Sequence, residues 1–174
     1  PAIDSPKNAL VRLIKALSQK KPRLLPALNW GFAIDFALLL EQKGELAERL
    51  VAAGAEVFFA SEQAIRAACD TETPQGCVAA VKMPDVAGAF PQRGLWTVLD
   101  GVQDPGNVGA IIRCADAFGA AGVLLGPGCA DAWSPKAVRA AMGSSFHIPV
   151  LSAADLPQAL ARMRKGGFRL IAAH

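Results

Sequence analysis

The chain has 174 residues, 52% of them hydrophobic, with 16 glycines, 12 prolines and a formal net charge of +3. That supports one sizeable core, or a domain with a smaller companion, and it excludes a disordered, collagen-like or low-complexity chain. The mild positive charge leaves nucleic acid open as a partner without arguing for it. No apolar run reaches spanning length and no secretory signal is recognisable, so the cytoplasm is the expected compartment.

In chain order, Ser5-Pro6 supplies an N-cap and a first-turn proline. In the following NALVRLIKALSQKK, Leu10, Leu13, Ile14 and Leu17 share one face, with Arg12, Lys15 and Lys20 elsewhere. The pattern predicts an amphipathic helix with a basic exposed side. A second helix is expected over residues 33–53, closed by Gly54, and EVFFAS then reads as a strand. SEQAIRAAC predicts a short helix and CVAAV a strand, so the first eighty or so residues read as a small α/β unit. KMPDVAGAFPQRG, with two prolines and no hydrophobic period, reads as a connection between domains. The expected division is 1–81, a linker over 82–94, and 95–174.

From Leu95 the alternation is regular. LWTVLD, GVLLG, FHIPVLS and FRLIAA read as strands; NVGAIIRCADAFG, SPKAVRAAMG and AADLPQALARMRK read as helices. Such alternation implies right-handed crossovers and a parallel sheet covered on both faces, with ligands beyond the carboxyl ends of its strands.

Motifs exclude more than they establish. No GxGxxG follows LWTVLD and no GxxxxGKS occurs, which removes the main support for dinucleotide and P-loop binding. Cys69, Cys77, Cys114 and Cys129 lack CxxC spacing and read as buried small hydrophobes; His147 reads as a strand residue and His174 ends the chain. No metal site is expected. Trp96 and Trp133 read as core residues or base-stacking platforms. Basic residues are dense at Lys15, Lys20, Lys21 and Arg23, and again at Arg162, Arg164, Lys165 and Arg169, where a solvated face and a phosphate contact are both open.

The stretch Asp100–Gly119, DGVQDPGNVGAIIRCADAFG, concentrates the candidate chemistry. Asp104-Pro105-Gly106 reads as a turn with Asn107 as helix cap, while Val108, Ile111, Ile112, Ala115 and Phe118 supply apolar faces. Arg113 shares its stripe with Asn107, Ala110 and Ala117, so it is either a surface arginine or a functional one.

Asn107-Val108-Gly109 with Arg113, Ala117, Phe118 and Gly119 resembles motif 1 of the SpoU (TrmH-type) RNA ribose 2′-O-methyltransferases of the SPOUT superfamily. VLLGPGCADAWSPKAVRAAMGSSFHIPV is similar to that family's segment between motifs 1 and 2. NALVRLIKALSQKKPR and TPQGCVAAV resemble the two ends of its small RNA-binding domain. The resemblance implies an α/β chain with a small N-terminal RNA-binding domain followed by a parallel-sheet, trefoil-knot domain. It also implies methyl transfer from S-adenosylmethionine to a ribose 2′-hydroxyl, ribosomal RNA before transfer RNA, by a homodimer. Arg113 and Asn107 would be catalytic, with Arg113 either base or phosphate clamp. Ala172, Ala173 and His174 would hold the cofactor; Lys15, Lys20, Lys21, Arg23, Lys136 and Arg139 would touch RNA. Two departures stand out. The family's Val-Glu-Gly element is not evident in PALNWGFAIDFALLL, and its motifs 2 and 3 would lie beyond His174, which implies truncation before the knot. The rival readings are a non-catalytic RNA-binding and dimerisation fragment, and an unrelated nucleotide-binding α/β domain.

Overall fold

A computed structural model describes residues 33–69, 73–83, 86 and 89–172, together with the backbone of Arg12–Lys15. The chain divides into two compact units, Pro1–Asp85 and Val86–His174. In the first, β1 (Arg12–Lys15), β2 (Ile34–Leu39), β3 (Glu56–Phe59) and β4 (Cys77–Val81) form a sheet of order β1-β4-β2-β3. Every residue of β4 is buried, and it runs antiparallel to both neighbours. Strands β2 and β3 are parallel, which requires the crossover made by α1 (Gly44–Ala52). The short helix α2 (Glu62–Ala67) is capped by Ser61, whose side chain accepts the Ala64 N–H at 3.2 Å.

Two expectations fail in this unit. Arg12–Lys15 is a strand, registered from Arg12 opposite Val81 to Lys15 opposite Val78, where a helix was expected. Pairing supplies partners to the backbone of the buried strand β4, and this tertiary demand outweighs a helical period over four residues. The rest of the expected basic helix lies outside the described residues. Residues 33–53 are not one helix either. Ile34–Leu39 is a strand, Glu41–Lys43 a 3-10 turn, and only Gly44–Ala52 is α-helical, with Gly54 beyond its end. A six-residue, largely apolar run suits a buried strand as well as a helix, and here both of its edges find partners.

In the second unit, β5 (Trp96–Leu99), β6 (Gly122–Leu125) and β7 (Val150–Ser152) form a parallel sheet in that order. The helices α3 (Pro105–Ala117), α4 (Pro135–Ala141) and α5 (Leu156–Lys165) alternate with them. The central strand β6 is buried throughout. Its Val123 and Leu125 join Leu99, Val150 and the α3 residues Val108, Ile112 and Ala115 in one core. Leu124 joins Leu151, Leu156, Ala159 and Met163 of α5 in another. The sheet is therefore covered on both faces, and each fully buried Ile or Leu side chain contributes about 2 kcal/mol.

Helix α3 is set by its ends. Gly119 adopts φ +70°, the Ala120 N–H reaches the Ala115 carbonyl at 2.9 Å, and the Gly119 N–H reaches Asp116 at 3.0 Å. This closure satisfies the last carbonyls and packs Ala120 on Ala115. It also turns Phe118 outward, 84% exposed, so Phe118 does not serve the core as expected. Midway along α3, Gly109 carries the crossing with α4. A Cβ there would overlap the Ala137 carbonyl and lie 2.7 Å from the Ala140 Cβ.

Two further differences concern strands. FHIPVLS yields only Val150–Ser152, because Ser144–Phe146 closes as a 3-10 turn that leaves His147 before the strand. FRLIAA forms no strand over Phe168–Ala172. No neighbouring ladder pairs with it among the described residues, and Ile171 stays 81% exposed.

Candidate functional site

The loops beyond the carboxyl ends of β5 and β6 are stitched together. The Gly126 N–H donates to the Leu99 carbonyl at 2.8 Å, the Ala130 N–H to Val102 at 2.8 Å, and the Cys129 thiol to Leu99 at 3.4 Å. These bonds hold the turn that launches α3 beside the segment that launches α4. Asp104, not Asn107, is the cap of α3: its backbone is extended, and its Oδ1 accepts the Asn107 N–H at 3.0 Å. Pro105 then takes the first helical position, where its fixed φ fits and no N–H is missed. The Asp-Pro pair was the overlooked sequence signal.

Lys136, at the start of α4, donates to Asp104 Oδ2 at 2.7 Å. That bond, followed by the backbone donor of Asn107, holds the Asp104 carboxyl below its usual range. Gly106 leaves room for it, since a Cβ there would lie 2.7 Å from Asp104 Oδ1. Lys136 is thus engaged within the protein, while Arg139 is half-buried in the last turn of α4.

Asn107 and Arg113 are both exposed on α3. Six residues separate them by roughly 9 Å along the axis, at 1.5 Å per residue. No contact joins their side chains, and Arg113 has no carboxylate partner among the described residues. One turn further, Asp116 Oδ2 meets His147 Nδ1 at 3.1 Å, tying α3 to the segment before β7. Trp133 packs against the core on the α3 side, its ring centroid 6.0 Å from that of Phe146. Trp96 packs on the opposite core, with its Nε1 donating to the Arg93 carbonyl.

The cysteines divide. Cys77 is buried, with burial pushing its thiol up to about 11, whereas Cys114 is exposed on α3, against the expectation that all four are interior. Of the residues expected to hold cofactor, Ala172 is exposed; Ala173 and His174 lie outside the described residues. Lys20, Lys21 and Arg23 do as well, and Lys15 is placed only by its backbone in β1. Among the described residues no group of three His, Cys, Asp or Glu side chains is arranged to hold a metal, and no helix is long and apolar enough to cross a membrane.

A parallel sheet with helices on both faces defines the second unit as an α/β domain of the open-sheet kind, with an exposed Asn and Arg on the helix leaving its first carboxyl end. The chain belongs to the SpoU rRNA methylase family, whose model matches residues 94–174. It is similar to the 23S rRNA (guanosine(2553)-2′-O)-methyltransferase RlmP of Bacillus subtilis, 37% identical over 182 residues, covering 97% of this chain and 71% of that protein. Mitochondrial rRNA methyltransferase 3A of Danio rerio is 44% identical over 93 residues, 49% of this chain and 21% of that one. The AdoMet-bound rRNA methyltransferase of Sinorhizobium meliloti superposes with a TM-score of 0.70 at 33% identity, covering 86% of this chain and 58% of that structure. AviRb of Streptomyces viridochromogenes, also solved with AdoMet, gives 0.71 at 27% identity, covering 89% and 60%. The chain thus spans between about a fifth and seven-tenths of the relatives it matches.

Proposed function

We propose that the protein transfers a methyl group from S-adenosylmethionine to a ribose 2′-hydroxyl of RNA, ribosomal RNA before transfer RNA. The observation that carries this reading is Arg113, exposed on α3 with no carboxylate partner among the described residues, six residues beyond Asn107 in a family of rRNA methylases. RlmP and the mitochondrial relative name ribosomal RNA, and two further relatives name tRNA and rRNA together.

The cofactor, when bound, supplies a methyl group activated by its sulfonium. What remains for the chain is to position the hydroxyl, stabilise charge as its proton passes to solvent water, and hold the phosphate chain in line. An arginine stays protonated at ordinary pH, so Arg113 acts as a clamp rather than a base. Its planar guanidinium holds a phosphate bidentately and favours ionisation of the neighbouring hydroxyl. Asn107, in the first turn of α3, orients the ribose. Among the described residues no backbone hydrogen bond engages Leu170–Ala172, which fits a ligand held through the backbone by Ala172, Ala173 and His174.

Residues 1–81 serve as the RNA-binding domain, 82–94 as the connection, its later part packed on the second unit through Phe90, and 95–174 as methyltransferase domain. Lys15, Lys20, Lys21 and Arg23 contribute phosphate contacts, and Arg139 and Lys136 flank the bound RNA, Lys136 after exchanging Asp104 for phosphate. The protein works in the cytoplasm as a homodimer, its second units meeting through the exposed α3 face that carries Cys114, Ala117 and Phe118.

The test is transfer of labelled methyl from S-adenosylmethionine to ribosomal RNA by the full-length protein and its Arg113→Lys variant. Turnover should fall at least a hundredfold with an unchanged melting curve, because lysine keeps the charge but loses the planar fork. Wild-type-like turnover would remove Arg113 from the mechanism. No transfer by either protein, with RNA still bound, would favour a non-catalytic RNA-binding role.

A further inference from the structure

A second cationic surface lies on the opposite face of the sheet from Asn107 and Arg113, since α3 packs on one core and α5 on the other. Helix α5 starts near the carboxyl ends of the strands, where a Cβ on Gly126 would meet Leu156 at 2.7 Å. It then runs back beside Trp96, the first residue of β5, which shares a core with Met163. Its last turn therefore lies roughly 15 Å from that edge, ten residues at 1.5 Å each.

Arg162, Arg164 and Lys165 occupy that turn and Arg169 follows; all four are exposed. Residues 156–172 contain no Asp or Glu, and none of these cations has an ion-pair partner among the described residues. Cations in a last turn ordinarily offset the helix dipole and cap free carbonyls. Here the carbonyls are already served by the chain. The Phe168 N–H reaches Met163 at 3.1 Å, the Gly167 N–H reaches Arg164 at 3.1 Å, and the Gly166 N–H reaches Arg162 at 3.0 Å. Phe168 also packs on the core of Met163. The helix end is complete without its basic side chains, which leaves their charge free for something else.

One of them is also pre-set. The Arg162 guanidinium lies 3.9 Å above the Phe90 ring, and Phe90 is itself packed against the α5 core. The ring contact restrains the guanidinium of an exposed side chain, which leaves N–H donors available to phosphate oxygens. Arg93 stands three residues after Phe90, exposed, with its carbonyl held by Trp96 Nε1 at 3.1 Å.

We propose that Arg93, Arg162, Arg164, Lys165 and Arg169 form a phosphate-backbone contact for RNA, separate from the reacting ribose. This rests on the methyltransferase reading above. The surface grips RNA across the sheet from Asn107 and Arg113, so it strengthens binding and leaves the methyl-transfer step untouched.

The test measures binding of a fluorescent 30-nucleotide RNA stem-loop to the full-length protein across salt concentrations. The comparison is a variant with Arg164→Gln, Lys165→Gln and Arg169→Gln, and separately Arg162→Lys. At about 0.7–0.9 per lost phosphate contact, the triple variant should flatten the slope of log K against log salt by about 2. In methyl transfer its KM for RNA should rise and kcat should hold. Arg162→Lys should keep the slope but weaken binding a few-fold. An unchanged slope and KM in a variant that still folds and methylates would overturn the proposal alone. If those variants instead lose only binding to phosphatidylserine vesicles, the surface serves a membrane and the proposal is equally overturned. A wild-type protein that neither binds nor methylates RNA would overturn the methyltransferase reading, and this proposal with it.

Discussion

Replacing Gly109 with alanine should separate packing from helix propensity. In an exposed helix the change would stabilise by about 1 kcal/mol, since alanine is the better helix former. At the α3–α4 crossing, the new Cβ would overlap the Ala137 carbonyl and lie 2.7 Å from Ala140 Cβ and 2.9 Å from Ala141 N. Comfortable carbon contacts begin near 3.5 Å, so α4 must retreat by roughly 1 Å. The obstructing atoms are backbone and a Cβ, neither of which can swing aside. Overpacking of that kind costs about 1–3 kcal/mol, and near the upper end the net loss is about 2 kcal/mol. For a chain of this size, that lowers Tm by roughly 4–8 °C. The assay is thermal unfolding followed by near-ultraviolet circular dichroism, where Trp96 and Trp133 report on the second unit. Gly44→Ala is the control: it has helical φ −53° and nothing within 4 Å of a new Cβ, so it should stabilise slightly. A Gly109→Ala protein as stable as wild type would refute the close crossing.

Met142 sits at φ +54° beyond α4, so Met142→Gly should relieve about 1 kcal/mol of left-handed strain, read as a higher urea midpoint than that of Met142→Ala, which keeps the strain. The lowered pKa of Asp104 means its carboxylate stabilises the fold at pH above its unfolded value, and that contribution is lost as pH falls through the folded value. Asp104→Asn retains a good cap without the charge, so the stability difference from wild type should shrink on acidification; an undiminished difference would show that the Lys136 pair contributes nothing. Lys20→Ala with Lys21→Ala should weaken RNA binding at every sequence and reduce its salt dependence, measured by filter binding.

Much of the second unit was legible because each element carried its own punctuation. Ser134-Pro135 opens α4, Gly119 closes α3, and GVLLG has the continuous apolarity of a doubly buried strand. Where an outcome depended on a distant partner, local pattern failed. Arg12–Lys15 became a strand through its ladder with β4, and DFALLL through ladders with both β3 and β4. FRLIAA has the composition of a strand but no neighbour among the described residues. The site was legible in residue types more than in roles. Asn107 and Arg113 stood out as unusual on an otherwise small-residue helix, but the cap proved to be Asp104, and its bond to Lys136 spans 32 positions. No periodicity encodes such a pair, because it depends on how closely Gly109 lets two helices approach.

The most direct test of the central claim is the chemical position of the transferred methyl group. Ribosomal RNA would be incubated with the full-length protein and labelled S-adenosylmethionine, digested to nucleosides and resolved by mass spectrometry. The account predicts label on a ribose 2′-oxygen, surviving alkaline hydrolysis as a dinucleotide and lost with Arg113→Lys. Label on a base, or ribose methylation undiminished in that variant, would contradict it.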